Sequence, residues 1–373
     1  MKPAKVFPNR KQLFDGRWFQ RCLPALKLAA GGQGAATRKA RRRTHAIVLV
    51  AALLLVPGYG AQSPSPGDQW RTMTTTGAPV ARHECGFVEL GGKFYLIGGR
   101  GEKPIDIYDP ASNAWSQGAA PPLEIHHFQP VSYQGRIYVA GALTGKFPAE
   151  TPVPYILIYD PASDTWTKGP EIPDSRRRGA AGAVVRGDKF YLICGIVNGH
   201  TGNYVNWFDE LDLQSGRWTE LPDAPRTRDH FQAAIIGDEL YAAGGRTSSY
   251  ETQETASLTL GQVDVFNFAS GKWTILSREL PTRRAGTLTI AVGDRLIVLG
   301  GESAGQREAH AEVEAYRTST GQWEKLPPLA RGRHGTGAVF YQGQIYTAAG
   351  NGSLGGSDEL TSLESLRFGG TAQ

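Results

Sequence analysis

A repeat of about fifty residues runs along most of the chain and constrains its fold more than any other feature. Tryptophans recur at spacings of 45, 51, 52, 55 and 50 residues, at Trp70, Trp115, Trp166, Trp218, Trp273 and Trp323. Glycine doublets or single-glycine variants keep the same interval, at Gly98-Gly99, Gly141, Gly195, Gly244-Gly245, Gly300-Gly301 and Gly350. Self-similarity at this period predicts a stack or ring of one supersecondary unit.

Each repeat is predicted to contain four short β-strands. Turn dipeptides separate the first and second strands, at Gly91-Gly92, Gln134-Gly135, Gly187-Asp188, Gly237-Asp238, Gly293-Asp294 and Gln342-Gly343. Such pairs tolerate positive φ and suit tight hairpins. An aromatic third strand such as "IDIYDP" (105–110) and a Trp-containing fourth strand complete the unit. Helical 3.6-residue periodicity is absent after the leader, so we expect an all-β domain.

The glycine doublet, the aromatic strand and the Trp recur in register, and this pattern resembles the Kelch-repeat family. The resemblance covers the chain from Trp70 to about Phe368, although Ala140, Cys194 and Ala349 replace the first glycine of a doublet. It implies a six-bladed β-propeller over residues 62–373, each blade a four-stranded sheet. Because the last repeat lacks a Trp, we expect an N-terminal strand containing Trp70 to close the ring beside "LESLRF" (363–368).

Residues 1–61 are predicted to be a leader that contains a signal peptide. The basic run 38–43 precedes an uninterrupted apolar run, 46–56, and small residues follow up to Ala61. That order is typical of a secretory signal. The apolar run is shorter than the roughly 20 residues of a membrane-spanning helix. We therefore expect cleavage near Ala61 and a periplasmic or secreted protein with no stable membrane insertion, the alternative being an uncleaved anchor.

Charge is distributed unevenly between the leader and the repeats. The leader holds twelve Lys and Arg against Asp15 alone, whereas the rest of the chain holds 28 basic and 34 acidic residues. A mildly acidic domain does not indicate a nucleic-acid partner. Cys85 and Cys194 lie in apolar runs and are expected to be buried free thiols rather than a disulfide framework.

A basic residue stands at the entry to the first strand of each repeat. The aligned positions are His83, His127, Arg178, His230, Arg284 and His334. In a propeller these entries lie at one mouth of the central channel, so the alignment predicts a ring of cations on an acidic domain. Such a cavity attracts a specific anion, and arginine forks fit carboxylate or phosphate. For any single member, capping a carbonyl or bridging two blades is the alternative.

The loops between second and third strands share that channel mouth. The predicted ligand-binding set is Arg82, His83, Arg100, His127, Arg178, His230, Arg246, Arg284 and Arg333. Glu302, among these cations, is expected to have a depressed pKa and is the candidate base, with His310 or His334 as acid. A structural salt bridge from Glu302, for instance to Arg333, is the alternative. Glu302, Gln306 and His310 resemble the iron-binding Glu-Asp-His pattern of plant Kelch specifier proteins, but Gln replaces Asp, and we predict no metal or cofactor.

The resemblance extends to exported bacterial Kelch proteins such as the N-acetylneuraminate epimerases. It implies that the ligand is an anionic small molecule, in particular an acidic carbohydrate, and that the reaction is mutarotation or epimerisation of that sugar. The alternative is a non-catalytic scaffold that binds a protein or a glycan. The sequence leaves open which of the two applies, and therefore whether the protein is an enzyme.

Overall fold

The computed structural model describes residues 69–247 and 249–368. The predicted leader and signal peptide, residues 1–61, lie outside this part of the chain. Within the described residues the only helical segments are two 3₁₀ turns, Asp174–Arg176 and Gly199–Thr201, and none has the length and apolar character of a membrane-crossing helix. Everything else that is regular is β-structure, as the sequence predicts.

The described strands are numbered in chain order. Strand β1 (Arg71–Thr72) comes first, followed by β2 (Cys85–Leu90), β3 (Lys93–Gly98), β4 (Ile105–Asp109) and β5 (Ala114–Gly118). The second unit has β6 (Val131–Tyr133), β7 (Arg136–Val139), β8 (Leu143–Thr144), β9 (Thr151–Pro152), β10 (Tyr155–Asp160) and β11 (Thr165–Glu171). The third has β12 (Gly182–Arg186), β13 (Lys189–Ile196), β14 (Tyr204–Asp212) and β15 (Trp218–Glu220).

The remaining strands complete three more units. The fourth has β16 (Gln232–Ile236), β17 (Glu239–Ala243), β18 (Asp264–Asn267) and β19 (Lys272–Ile275). The fifth has β20 (Leu288–Val292), β21 (Arg295–Leu299), β22 (Val313–Arg317) and β23 (Gln322–Leu326). The sixth has β24 (Ala338–Tyr341), β25 (Gln344–Ala348) and β26 (Leu363–Arg367). In the described residues these strands form six four-stranded antiparallel sheets and the small β8–β9 ribbon, which confirms the six-bladed propeller.

The N-terminal strand closes the ring. Strand β1 is the outer strand of the sheet β1-β26-β25-β24, with Arg71 opposite Ser365 and Thr72 opposite Glu364. Trp70 is 6% exposed and belongs to the core cluster of Leu366 and Phe368. The first and last ends of the described chain are therefore joined in one blade, as predicted, and the outer side of β26 is paired by β1.

A belt of backbone hydrogen bonds links the six blades around the channel. In each blade one residue before the first strand adopts positive φ of 51–63°: Glu84, His127, Ala180, His230, Gly286 and Gly335. From the second blade onward, each of these residues donates its amide N–H to the carbonyl oxygen of its counterpart in the preceding blade, over 2.7–3.1 Å. The amide of Cys85 completes the circuit by donating to Gly335 O at 3.1 Å. We refer to these six residues as the belt.

Buried arginines hold the entry of five blades. Each donates to the carbonyl sixteen residues later and to a carboxylate on the third strand of its own blade. The pairs are Arg82–Asp106, Arg178–Asp209, Arg228–Asp264, Arg284–Glu314 and Arg333–Glu364. All five arginines are 0% exposed. Ionic hydrogen bonds of this kind satisfy otherwise unpaired carbonyls at the channel mouth.

This placement corrects four of the predicted ligand-binding residues. Arg82, Arg178, Arg284 and Arg333 are enclosed within single blades and do not form a partly solvated ring. In blade two, apolar residues take the place of this ion pair. Ile125 stands at the arginine position and Leu157 at the carboxylate position, and both belong to one core cluster. The arginine is thus a structural residue with an apolar equivalent inside the same chain.

The first prediction concerns ring closure. Trp70→Ala should lower the free energy of unfolding by about 3–5 kcal/mol, since removing a large buried aromatic leaves a cavity. Urea denaturation measures the change. The neighbouring Gln69→Ala is the control, because Gln69 is exposed and should alter stability by less than about 0.5 kcal/mol. Equal stabilities for the two variants would mean that the N-terminal strand does not hold the ring closed.

The second prediction separates two adjacent arginines. Arg284→Ala should cost about 3–5 kcal/mol, because it leaves the Glu314 carboxylate buried without its partner. Arg283, whose side chain is 56% exposed and pairs with Glu279, should cost less than about 1 kcal/mol when replaced by alanine. Urea denaturation of both variants measures the difference.

A double variant tests the reason for the difference. Arg284→Met combined with Glu314→Leu should recover most of the lost stability, because apolar replacement of a buried ion pair is often neutral or stabilising. Ile125 and Leu157 represent the same replacement in blade two. A double variant as unstable as Arg284→Ala would show that the hydrogen bonds to carbonyl oxygens, rather than the stranded carboxylate, set the cost.

Candidate functional site

A cavity of about 420 Å³ lies where the strand entries meet the loops that follow the second strands. Its lining includes six of the predicted site residues, His83, Arg100, His127, Arg246, Glu302 and His334. Isolated β-bridges connect the two sets of segments, for example Ala285 with Glu302 and Asp229 with Arg246. The predicted sharing of one channel mouth by entries and loops is therefore present in the structure.

The other predicted residues lie elsewhere. Besides the four arginines enclosed within blades, His230 lies behind the cavity in the belt, where it lines a smaller cavity with His127. His310 is buried and bonded within its own loop, to Ser303 Oγ at 2.9 Å and to Glu312 Oε2 at 3.0 Å. It does not line the cavity, so Glu302, His310 and His334 are not brought together as a catalytic group.

The cations of the cavity are paired with carboxylates. Arg100 donates to Glu150 at 2.6 Å, and Arg246 donates to Glu302 at 2.5 Å. His83 Nδ1 lies 2.7 Å from an oxygen of Glu359. The expected ring of unpaired positive charge is thus wrong, because each of these cations has an acidic partner that the alignment did not pair with it.

Glu302 is an ion-pair partner rather than a base. Burial raises its pKa, but the charges of His334 and Arg246 and the amide of Gly355 outweigh burial and lower its pKa to about 2. A carboxylate with this pKa accepts a proton poorly near neutral pH. The structural salt bridge considered from the sequence exists, with Arg246 and not with Arg333. His334 Nε2 in turn donates between Ser353 O and Gly355 O, each at 2.9 Å.

Three imidazoles meet at the floor of the cavity. Among the described residues, His127, His200 and His230 form a group whose ligand nitrogens all lie within 4.8 Å of one another. His127 and His230 come from the belt, and His200 comes from the 3₁₀ turn Gly199–Thr201. His230 Nε2 and His200 Nε2 are 3.1 Å apart. We refer to these three residues as the histidine cluster.

Each Nδ1 of the histidine cluster has a partner outside it. His200 Nδ1 is 3.0 Å from Glu150, His230 Nδ1 is 2.5 Å from Asp229, and His127 Nδ1 is 2.6 Å from the ring of His126. Burial opposes the ionisation of Glu150, but His200 and Arg100 hold its pKa well below the usual range. An ionised carboxylate only accepts, so His200 Nδ1 is the donor to Glu150, and His200 Nε2 faces His230.

Burial keeps two members of the cluster uncharged. It lowers the pKa of both His127 and His230 well below the usual range, and the charge of Arg246 adds to the effect at His230. Burial also raises the pKa of Asp229 to about 7, so near neutral pH this carboxyl either donates to His230 Nδ1 or accepts the proton of that nitrogen. When Asp229 donates, a proton on His230 Nε2 satisfies the short contact with His200, and when it accepts, His230 Nε2 carries a lone pair. Neutral imidazoles that share a small space can hold a proton or a metal ion between them.

Exposed apolar side chains rim the cavity. Phe147 is 49% exposed and Tyr250 is 42% exposed, and their ring centroids are 5.4 Å apart at 88°. Phe147 also contacts His200, with centroids 5.0 Å apart, and the exposed Leu354 lines the same cavity. Exposed aromatic rings beside buried polar groups are typical of sites for small amphipathic ligands.

The sequence showed only part of this site. His200 was visible in the loop "NGHTGNY" (198–204), but Glu150, Asp229, Phe147 and Tyr250 carried no repeat signal. The alignment merged three adjacent positions of the repeat into one. Arg178 and Arg284 occupy the position of the arginines buried within blades. His83 and His334 occupy the next position, and His127 and His230 occupy the belt position that follows. The sequence does contain one signal for the buried arginines, because an acidic residue on the third strand accompanies each of them.

Relatives of known sequence share the repeat. The chain is 28% identical over 337 residues to the "Kelch-like protein terF" of Aspergillus terreus, covering 81% of this chain and 70% of that protein. It is 26% identical to human "Kelch-like protein 23" over 69% of this chain, but spans only 43% of the human protein. It is 32% identical to bovine "Kelch domain-containing protein 8B" over 42% of this chain and 44% of that protein.

A solved structure shows the same fold. The structure of YjhT superposes with a TM-score of 0.66 at 15% sequence identity, covering 77% of this chain and 95% of that one. The sequence profile of the KLHDC2/KLHL20/DRC7 Kelch-repeats domain matches residues 131–350. Since the matched region is more than half of the chain, the chain belongs to the Kelch-repeat β-propeller family.

Proposed function

We propose that the cavity binds a small ligand that carries a carboxylate, with an acidic carbohydrate as the chemical class. The observation that carries the proposal is the pair of arginines that line it. In the described residues, Arg100 and Arg246 each make a hydrogen bond to a carboxylate through one terminal nitrogen. A guanidinium has five N–H donors, so both retain donors for a ligand carboxylate.

The dimensions of the cavity favour a small ligand over a broad protein interface. Its volume of about 420 Å³ lies within the range of small-molecule sites, about 300–1,000 Å³. The Kelch propeller supports binding of proteins as well as ligands, and a non-catalytic scaffold that binds a protein or a glycan remains the alternative. Phe147 and Tyr250 would stack on the apolar face of a sugar ring, a use to which exposed aromatic rings are suited.

Interconversion of sugar anomers is a second candidate function. It requires a base at the anomeric hydroxyl and an acid at the ring oxygen. Glu302 lines the cavity but is a poor base because its pKa is lowered to about 2, and His310 does not line the cavity. His127 and His200 are better candidates, because both line the cavity and the imidazole of His127 is kept neutral by burial. This candidate depends on the cavity binding the sugar first.

The third prediction tests the ligand class with matched pairs of sugars. Glucuronate and N-acetylneuraminate should raise the melting temperature and bind in calorimetric titrations, whereas glucose and N-acetylmannosamine should not. Arg100→Gln should weaken binding of the acidic sugars about 10- to 100-fold, since a charge-assisted hydrogen bond contributes about 1.5–3 kcal/mol. Arg283→Ala is the control and should bind as the unaltered protein does.

The outcomes separate the alternatives. Binding of neutral and acidic sugars alike, or no loss in Arg100→Gln, would contradict the carboxylate role. If an acidic sugar binds, exchange spectroscopy by NMR shows whether the protein accelerates interconversion of its anomers. A protein that binds without acceleration is a binding protein and not a mutarotase.

We further propose that the protein is exported. The support is the order of basic, apolar and small residues in 38–61, which is typical of a secretory signal. As the fourth prediction, protein recovered from a host that processes such signals should begin near Ala61 or Gln62 on N-terminal sequencing. Recovery of cytoplasmic protein that still begins at Met1 would contradict export.

A further inference from the structure

We propose that His127, His200 and His230 bind a divalent transition-metal ion such as Zn²⁺ at the floor of the cavity. This inference goes beyond the proposed ligand class and does not depend on it. It also departs from the expectation of no metal, which rested on the sequence pattern around Glu302 and His310. The group proposed here is a different one, and no spacing in the sequence brings its members together.

The geometry suits a small cation. The three ligand nitrogens lie within 4.8 Å of one another, and two of them, His200 Nε2 and His230 Nε2, are 3.1 Å apart. Zinc–nitrogen bonds of about 2.0–2.1 Å in a tetrahedral site place two ligand nitrogens about 3.3 Å apart. The His200–His230 pair is already near this distance, and rotation of the His127 ring brings the third nitrogen closer.

The outer partners are those of a metal site. Metal-binding histidines donate their second ring N–H to a carboxylate or another acceptor, which fixes the tautomer and orients the ring. Glu150 occupies that position on His200, and Asp229 occupies it on His230. His126 holds the ring of His127 at 2.6 Å between Nδ1 atoms. Three imidazoles that are each held by a partner at Nδ1, two of them with their Nε2 atoms facing each other, are more than packing requires.

The backbone supports the same conclusion. His127 and His230 have φ of 55° and 53°, a conformation that residues other than glycine adopt uncommonly. Two members of the belt are glycines, so the position does not require a side chain. Strained conformations at residues with reactive side chains are concentrated at functional sites.

An ion at this place would be open to the cavity. His127 and His200 line the cavity, so a fourth coordination position faces it. Three protein ligands with one open position are the arrangement of catalytic rather than structural zinc sites. Glu84 lies beside the cluster, with Oε2 3.4 Å from His127 Nε2, and its charge would partly compensate that of the ion.

The fifth prediction is direct metal binding by the protein without any organic ligand. Protein stripped with a chelator should bind about one equivalent of Zn²⁺ in calorimetric titration near neutral pH, and Co²⁺ should give the visible absorption of a four-coordinate ion. His200→Ala and His230→Ala should each weaken Zn²⁺ binding about 100-fold or more. Glu150→Gln should weaken it about 10- to 100-fold, because only the orientation of His200 is altered.

The control is His310→Gln, which changes a buried histidine outside both the cluster and the cavity and should bind Zn²⁺ as the unaltered protein does. If His230→Ala does not fold, Glu150→Gln and His200→Ala still test the proposal, because His200 stands on a short turn and not in the belt. The proposal is wrong if the stripped protein binds no Zn²⁺, which would leave a proton-linked histidine network. It is also wrong if His200→Ala and Glu150→Gln both bind as tightly as the unaltered protein, which would place the ion elsewhere.

Discussion

The belt of backbone hydrogen bonds is the constraint on which the rest of the structure depends. From the second blade onward the amide of each belt residue is satisfied by the carbonyl of the preceding blade, and the amide of Cys85 completes the circuit. The position of every strand entry is therefore set by its neighbour around the ring. The geometry requires positive φ at each position, which glycine provides at no steric cost. Where Glu84, His127 and His230 stand instead, the blades around them maintain the strained backbone, and chemically active side chains are held at the channel mouth.

The blades are alike in architecture but differ in what they supply to this mouth. Five use a buried arginine and a third-strand carboxylate at the entry, and blade two uses Ile125 and Leu157. Blade two also carries the adjacent pair His126 and His127, so the blade with the apolar entry is the one that contributes two imidazoles. A buried ion pair is not required for stability, since apolar groups of similar volume can replace it. Blade two therefore shows that the buried arginines serve the fold, and that the neighbouring positions of the repeat can hold functional side chains.

The fold could be predicted from the sequence because the same pattern of residues occurs in six repeats. The Trp and glycine positions, the turn dipeptides and the early Trp70 were sufficient for blade number and ring closure. For the site, the sequence predicted only that it lies at one mouth of the channel. Repeats that differ in length by several residues leave a one- or two-residue ambiguity at each entry. At Arg178 and Arg284 that ambiguity exchanges a position at the channel mouth for one enclosed within a single blade. Glu150 and His200 meet through loops of different blades, and such contacts leave no local pattern in a single sequence.

The pairing of charges at the cavity connects the two proposals. Arg100 and Arg246 are held by Glu150 and Glu302, so a ligand carboxylate that approaches them also approaches two negative charges. Because burial keeps His127 and His230 neutral, these two imidazoles do not offset this repulsion. A divalent ion in the histidine cluster would, since its charge acts at short range in a partly enclosed space where interactions are weakly screened. If both proposals hold, the affinity for an acidic sugar should therefore be greater with the metal than without it, and this difference should disappear in His200→Ala, which removes a ligand of the ion.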